Sequence, residues 1–362
     1  MSEDQPAGSA NARPGRGLAI VGSFTTAERK ARGTGISVFR HTDTARWQPA
    51  GQLDGLVNPS YLYADPGRNL VYAAHGDAGF VSAYEIDPAS GAIARVGGAN
   101  SSGLNGVAVT MHPSGRFLFV ANYSSGSVTT LPFGDDRRPS DASRRLELPG
   151  PAGPHRVEQT MSHPHDVVMD PSGRFLIVPD KGLDRVFVLL PDDHSGDLSV
   201  VSYATLRPAS GPRHIAFHPT LPRAYVVNEI DSTVASLAWD ALSGVLTPLQ
   251  VVPALPASFF GHSTAAEIVV DPSGTFVYAS NRGADSVTRF SLDASGEHLT
   301  LEGWTPSGGR DPRYMTLSLD GLLVVANEQG DNIVEFEIDP DTGNLIAAST
   351  IAVASPSSVV FL

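Results

Sequence analysis

The chain has 362 residues, 25 basic against 38 acidic side chains, a formal net charge of −13 and no cysteine. The missing cysteine excludes a disulfide framework, a thiol nucleophile, a cysteine-ligated zinc and an iron–sulfur centre. A pI near 5.2 with no basic run argues against nucleic acid as a partner. No apolar stretch approaches the roughly eighteen residues of a membrane span, so a soluble, cytoplasmic protein with no membrane partner is expected. Residues 1–16 are polar and rich in Pro and Gly, with no apolar core. They read as a disordered tail rather than a signal peptide, ahead of one folded domain over 17–362.

The first apolar segments, 15–21 and then Gly35 to Arg40, read as second and third strands of a unit whose first strand is missing. From there one phrase recurs: an apolar strand, a turn of D-P-S-G type and a second apolar strand. The turns are Asp65-Pro66-Gly67, His112-Pro113-Ser114-Gly115, Asp170-Pro171-Ser172-Gly173, His218-Pro219, Asp271-Pro272-Ser273-Gly274 and Ser318-Leu319-Asp320-Gly321. Taken at the proline position, and at Leu319 in the last copy, they are spaced by 47, 58, 48, 53 and 47 residues. Self-similarity at such a period signals a solenoid, array or propeller. Each repeat holds β-rich runs such as Phe117-Leu118-Phe119-Val120 and Ser286 to Phe290, with no long helical period. Proline presets the turn and the following glycine relaxes its exit.

Four strands per repeat of about 50 residues describe a β-propeller blade. The last segment, 357–362, reads as a first strand with nothing after it, the piece missing from the head. Joining the two completes one blade and removes the open sheet edges. The expected fold is all-β: a seven-bladed β-propeller with one blade closed by the N- and C-terminal strands. Such a ring needs no second copy, so a monomer is expected.

Propeller geometry then assigns faces. The D-P-S-G turns join first to second strands on one face, here the lower. The start of each first strand, the end of each second strand and the crossover between blades lie on the upper face. Polar residues gather there: Asn58 and Tyr61, Asn105, His163 and His165, Arg213 and His214, Glu267 and Arg313 at the starts. At the ends stand His75, Asn122-Tyr123, Asp180-Lys181, Asn228-Glu229, Asn281-Arg282 and Asn327-Glu328. Groups from several blades converging on one channel mouth form a candidate ligand site. Two long crossovers, 134–162 and 251–262, are expected to wall or cover it.

In a net-acidic chain, Lys181, Arg213, Arg282 and Arg313 at one mouth select an anion, because guanidinium groups grip carboxylate or phosphate at two points. Glu229 is a base or the structural partner of these cations, and His165 an acid/base near neutrality. Arg313 and Glu328 serve equally well as a lock in the ring. His112 and His218 take the first position of lower-face turns and read as structural, and the repeated Asn122, Asn228, Asn281 and Asn327 as loop caps. His163-Pro164-His165 has zinc-like spacing but no third ligand, so neither metal nor other cofactor is expected. Gly261-His262-Ser263-Thr264-Ala265 lacks the strand-to-helix setting of a nucleophile elbow.

These residues resemble the seven-bladed propeller lactonases, which include propeller-type 6-phosphogluconolactonases and carboxy-cis,cis-muconate lactonising enzymes. The matching phrases are Ser162-His163-Pro164-His165, Gly211-Pro212-Arg213-His214, Val227-Asn228-Glu229, Ser280-Asn281-Arg282-Gly283 and Pro312-Arg313, with Arg156 and Gln159 as a lead-in. The wording Gly-Pro-Arg-His and Ser-Asn-Arg-Gly is closer to the bacterial lactonases. The resemblance implies a catalytic set of His165, Arg213, Glu229 and Arg282; His163, Lys181, His214, Glu267 and Arg313, on the same upper face, are expected to bind substrate. The resemblance also implies a metal-independent hydrolase of an anionic sugar lactone, 6-phosphogluconolactone first. The alternatives are a cycloisomerase acting on a carboxylated muconate and a non-catalytic propeller binding a small anion. Asp180-Lys181 departs from the family, where an apolar residue or Gly often follows the Asp.

Overall fold

The computed structural model describes residues 17–41 and 47–362. The expected tail at 1–16 therefore lies outside the described residues. Seven four-stranded antiparallel sheets are arranged around a central channel. From the channel outward, the first consists of Pro356–Phe361, Leu18–Ser23, Gly35–Arg40 and Gln48–Asp54. Chain start and chain end thus share one sheet, with Ala19 opposite Phe361 and Val21 opposite Val359. Closure replaces the two free sheet edges of an open array with ladder hydrogen bonds. Among the described residues, no helix is long and apolar enough to cross a membrane.

The repeated turn works through its first side chain. In Asp170-Pro171-Ser172-Gly173 the Asp170 Oδ1 accepts the amides of Arg174 and Phe175 at 2.9 and 2.8 Å, and Oδ2 accepts the Ser172 hydroxyl at 2.7 Å. His218 does the same work with a ring: Nδ1 accepts the Leu221 amide at 2.9 Å and Nε2 donates to the Gly274 carbonyl at 3.0 Å. His112 likewise engages Ser114. Both histidines are lower-face turn residues, as the sequence indicates.

Hydrophobic clusters fill the seams between blades. Phe175, Ile177 and Val188 of one blade pack on Ile215, Val226, Leu237 and Trp239 of the next. Buried second-strand tyrosines add a polar lock between blades: Tyr72, Tyr225 and Tyr278 donate to the carbonyls of Arg137, Gly296 and Gly343 at 3.0, 2.8 and 2.8 Å. A buried phenol needs such a partner.

Two loop expectations require correction. The segment 134–162 is not a single upper crossover. Residues 133–143 form a lower-face connection, Arg144–Glu147 is the blade's outer strand, and only 148–167 crosses the upper face. Three charged residues among the four of this short stretch hid that strand, since no apolar alternation marks it. The second crossover begins after Pro253, because the strand Val245–Pro253 extends through the residues read as loop.

Inner strands carry one irregularity that positions the site. Registers slip between Pro59 and Tyr61, Gly106 and Ala108, Pro212 and His214, and Pro312 and Tyr314, leaving Ser60, Val107, Arg213 and Arg313 bulged. A bulge bends the strand and re-aims its side chains. Another slip, between Ala265 and Ile268, spans Ala266 and Glu267.

The closed blade also constrains Gly22, where a Cβ would lie 2.2 Å from the Pro59 carbonyl and 3.2 Å from Leu62. Gly22→Ala must push two backbones apart, a cost of about 1–3 kcal/mol. A clear fall in the thermal unfolding midpoint is expected, and an unchanged midpoint would contradict the close approach of these strands.

Candidate active site

The upper mouth is organised around one carboxylate. Glu229, just beyond the strand Arg223–Asn228, is buried with its oxygens surrounded by cations from three successive blades. Lys181 Nζ stands 2.7 Å from Oε1, Arg282 Nη2 3.3 Å from Oε1, and Arg213 Nε 3.0 Å from Oε2. His165 Nε2 lies 3.9 Å from Oε2. Burial alone would raise the Glu229 pKa, but Arg282, Lys181 and Arg213 together hold it well below the ordinary carboxylate range. Glu229 is therefore a fixed anion, a poor proton acceptor at neutral pH.

His165 has the opposite character. Burial, then the nearby Arg213, pushes its pKa well below the ordinary imidazole value, against the pull of Glu229. The ring is neutral at pH 7, and its buried Nδ1 has no hydrogen-bond partner. Tyr123 and His214 flank it at ring-centroid distances of 5.4 and 5.3 Å.

Local sequence explains how His165 reaches this position. In Ser162-His163-Pro164-His165, Pro164 has no amide to donate, and the segment bridges the second strand through its neighbours: the His165 amide donates to the Pro179 carbonyl at 2.9 Å and the Lys181 amide to the His163 carbonyl at 3.0 Å. Asp180 Oδ1 accepts the amides of His163 and Gly182 at 2.8 and 2.9 Å, while Oδ2 accepts the Ser162 hydroxyl at 2.5 Å. The regular inner strand of this blade is only Val168–Met169, and the separate bridge at Pro164 and Asp180 holds His165 at the mouth. Gln159 pins the crossover by donating to the Lys181 carbonyl at 2.8 Å and to Asp184 Oδ1 at 2.7 Å.

The remaining expected residues divide into distinct groups. Lys181 Nζ is shared between Glu229 and Glu158, each at 2.7 Å, so the family departure at 181 ties the crossover to the central carboxylate. His163 does not face a ligand. It stacks on Tyr123 at 4.5 Å, its Nδ1 donates to the Tyr123 carbonyl at 2.9 Å, and its Nε2 meets the Thr160 hydroxyl at 3.4 Å. With both ring nitrogens engaged, its expected place among the binding residues becomes one in the wall. Arg213 is 2 % exposed and also donates to the Ala266 carbonyl within the slipped register, whereas the side chains of Arg282 and Arg313 each keep 16 % exposure. Arg313 and Glu328, 3.5 Å apart, sit on the same blade and do not lock two blades together.

Further down the channel His214 Nδ1 and Glu267 Oε1 are 2.7 Å apart. They border a cavity of about 350 Å³ with Tyr61, Asp166 and Tyr314. The asparagines are structural: Asn122, Asn228 and Asn281 donate to the third-strand Thr129, Thr233 and Thr288 at 3.0, 2.9 and 2.8 Å, and Asn327 donates to the loop carbonyl of Ser307 at 3.1 Å. Larger concavities of about 820 and 680 Å³ lie on the lower face, lined by turn residues.

Sequence reasoning missed Glu158, which looked like part of a loop, and Asp166, which no repeat position marks. It also missed the pair formed by Arg29 and Asp77, with contacts of 2.6 and 2.7 Å. Arg29 and Arg313 approach the same Phe24 ring, at 4.8 and 5.0 Å. Among the described residues, no three His, Asp or Glu side chains converge as metal ligands.

The family model for the seven-bladed β-propeller lactonases matches residues 18–361. The chain belongs to that family. The 6-phosphogluconolactonase of Bacillus subtilis is 32 % identical over 85 % of this chain and 88 % of its own. That of Pectobacterium carotovorum is 34 % identical over 83 % and 86 %. Among solved structures, a periplasmic gluconolactonase of Pseudomonas aeruginosa is 27 % identical, with a TM-score of 0.86 over 96 % of this chain and 99 % of the other. The relatives thus include proteins named for a phosphorylated lactone and one named for an unphosphorylated lactone.

Glu229→Gln should remove the one anion that three buried cations share, destabilising the protein by about 3–5 kcal/mol. Because the Glu229 pKa is depressed, its stabilisation is complete above the unfolded value of about 4.3 and is lost as pH falls through the folded value. The difference in thermal midpoint between wild type and variant should hold constant from pH 5 to 8 and close only in strong acid. A gap that closes near pH 5 would contradict a depressed Glu229.

Proposed function

We propose that this protein hydrolyses an anionic sugar lactone, 6-phosphogluconolactone first, at the upper channel mouth. The observation that carries this reading is a neutral, buried His165 beside a carboxylate-anchored cluster of cations. Hydrolysis needs a base that accepts a proton from water and positive charge where the acyl oxygen becomes negative. His165 takes the water proton as the water oxygen bonds to the acyl carbon. The tetrahedral oxyanion then collapses, the bond from acyl carbon to ring oxygen breaks, and the ring oxygen recovers the proton from His165. The product is the open hydroxy acid, and no proton is gained or lost by the enzyme.

Glu229 does not act as base in this scheme. It stabilises the transient His165 imidazolium and holds Lys181 and Arg213 in place. Arg282 and Arg313, the more accessible cations, receive the substrate's anionic group and the developing oxyanion. Substrate charge offsets the field of the arginines and raises the His165 pKa towards neutrality, so binding improves the base.

Hydrolysis is preferred over lactone-forming cycloisomerisation because the Bacillus subtilis and Pectobacterium carotovorum relatives, 32 % and 34 % identical, are named for a lactonase. Because a phosphate ester does not cross a membrane unaided, the reading carries a cytoplasmic location. The self-closed ring makes a monomer sufficient.

The test is the rate of 6-phosphogluconolactone opening above its spontaneous rate, with glucono-lactone and a carboxylated muconate in parallel. His165→Asn should lower kcat by about 10²–10⁴-fold, and Arg282→Ala should raise KM for the phosphorylated lactone. The wild-type kcat/KM should fall as pH drops below the ordinary imidazole range and level off by pH 7. An undiminished rate in His165→Asn would remove the base from this mechanism. Binding of these anions without turnover would instead support a binding propeller.

A further inference from the structure

The mechanism above leaves the His214–Glu267 pair unused, although both residues are buried, border the channel cavity and lie directly beside His165. Their link is a single contact of 2.7 Å between His214 Nδ1 and Glu267 Oε1. The other imidazole nitrogen, Nε2, and the other carboxyl oxygen, Oε2, are buried without hydrogen-bond partners. The His214 ring lies 5.3 Å from that of His165 by centroids and 6.3 Å from that of Tyr61. An imidazole nitrogen left unpaired this close to the base has the geometry of a group that waits for substrate.

The proton on the pair decides what that nitrogen can do, because the partner of Nδ1 determines the state of Nε2. If Glu267 were ionised, Nδ1 would donate and the neutral ring would present a bare lone pair to a substrate oxygen. If Glu267 keeps its proton, the carboxyl O–H donates to Nδ1 and Nε2 carries a hydrogen. Glu267 Oε1 also accepts the Ile268 amide at 3.1 Å, which favours the ionised form, but the burial of the carboxyl outweighs it and favours the second arrangement. Asp166 adds a second carboxyl in the same cavity, Tyr61 and Tyr314 contribute rings, and the two nearby cations, Arg213 and Arg313, are engaged with Glu229 and Glu328.

Resting on the lactonase reading, we infer that Glu267, un-ionised and donating to Nδ1 of His214, fixes that imidazole as an Nε2–H donor beside His165 for the lactone's acyl oxygen. Glu267 is then a positioning residue acting through His214, and His214 the group that touches substrate. The geometry explains why two adjacent residues of one inner strand both serve the site. The register slip between Pro212 and His214 sends Arg213 to Glu229 and His214 to Glu267.

Burial drives the Glu267 pKa up to about 8 and, with Arg213, that of His214 down to about 3. The groups facing the pair are Asp166, raised to about 6 by burial, Tyr61 and Tyr314, both raised by burial, and Arg213, Arg313 and His165. As pH rises through about 8, Glu267 ionises, its contact with Nδ1 reverses and the Nε2 donor is lost. Wild-type kcat, corrected for spontaneous opening, should therefore decline on the alkaline side.

The test compares Glu267→Gln and Glu267→Leu across pH 6–9. The glutamine amide still donates to Nδ1 and cannot ionise, so it should rescue the rate that Leu loses by about tenfold or more and abolish the alkaline decline. Thermal unfolding gives a readout independent of turnover. A carboxyl with a raised pKa loses stability as pH climbs from its unfolded value towards the folded one. The Gln variant should therefore gain thermal midpoint relative to wild type between pH 5 and 8. An alkaline limb that persists in Glu267→Gln, or a Gln variant as slow as Leu, overturns the positioning role. Wild type that turns over no lactone is a failure of the functional reading instead, and the thermal comparison then decides the proton: a constant gap from pH 5 to 8 overturns the un-ionised Glu267.

Discussion

Glu229 lies where three blades meet, and its carboxylate is the only negative group within salt-bridge distance of Arg213 and Arg282 among the described contacts. Removing a carboxylate from water costs several kcal/mol, and the cost is met here by Lys181, Arg282 and Arg213 at 2.7–3.3 Å. The exchange is mutual, since each buried cation would be equally unfavourable alone. Because these residues come from three consecutive blades, the charge cluster forms only when those blades pack side by side. Its integrity therefore depends on the apolar seams that pack those three blades together.

This dependence gives the site its character. A rigid ring positions groups with little freedom, and Glu229, held far below the usual carboxylate range, cannot take up protons at neutral pH. Burial first, and the field of Arg213 after it, keep His165 neutral. One site thus holds a permanent anion and an uncharged imidazole 3.9 Å apart. The inner-strand bulges supply the remaining control, turning Arg213 and Arg313 out of regular strand alternation.

Much of this was legible in the sequence, for reasons tied to particular residues. The D-P-S-G phrase marks the fold because Asp170 and Asp271 each accept successive turn amides, a local task that any copy must repeat. His112 and His218 could be set aside for the same reason. His165, Arg213, Glu229 and Arg282 were legible because propeller topology brings the start of one strand and the end of the next to a common face. The roles within that set were not. Glu229 and His165 were equal candidates for base until the number of cations around Glu229 was known. His163 looked like a ligand residue until its stacking on Tyr123 showed both nitrogens engaged. The outer strand Arg144–Glu147 was invisible because its residues are charged and solvent-facing, and strand pairing there comes from the neighbour's backbone.

By itself, the sequence determined the repeat, the strand order, the closure by the two termini and the face on which the polar residues collect. Each of these rests on local turn chemistry and on the two-residue period of a strand, which neighbours along the chain can encode. Only the tertiary structure decided which charges meet, which nitrogens are left free and which protons stay bound. Those depend on distances between residues from different blades, on bulges that shift a register by one residue, and on the exclusion of water. None of these three is written in the order of residues along a single strand.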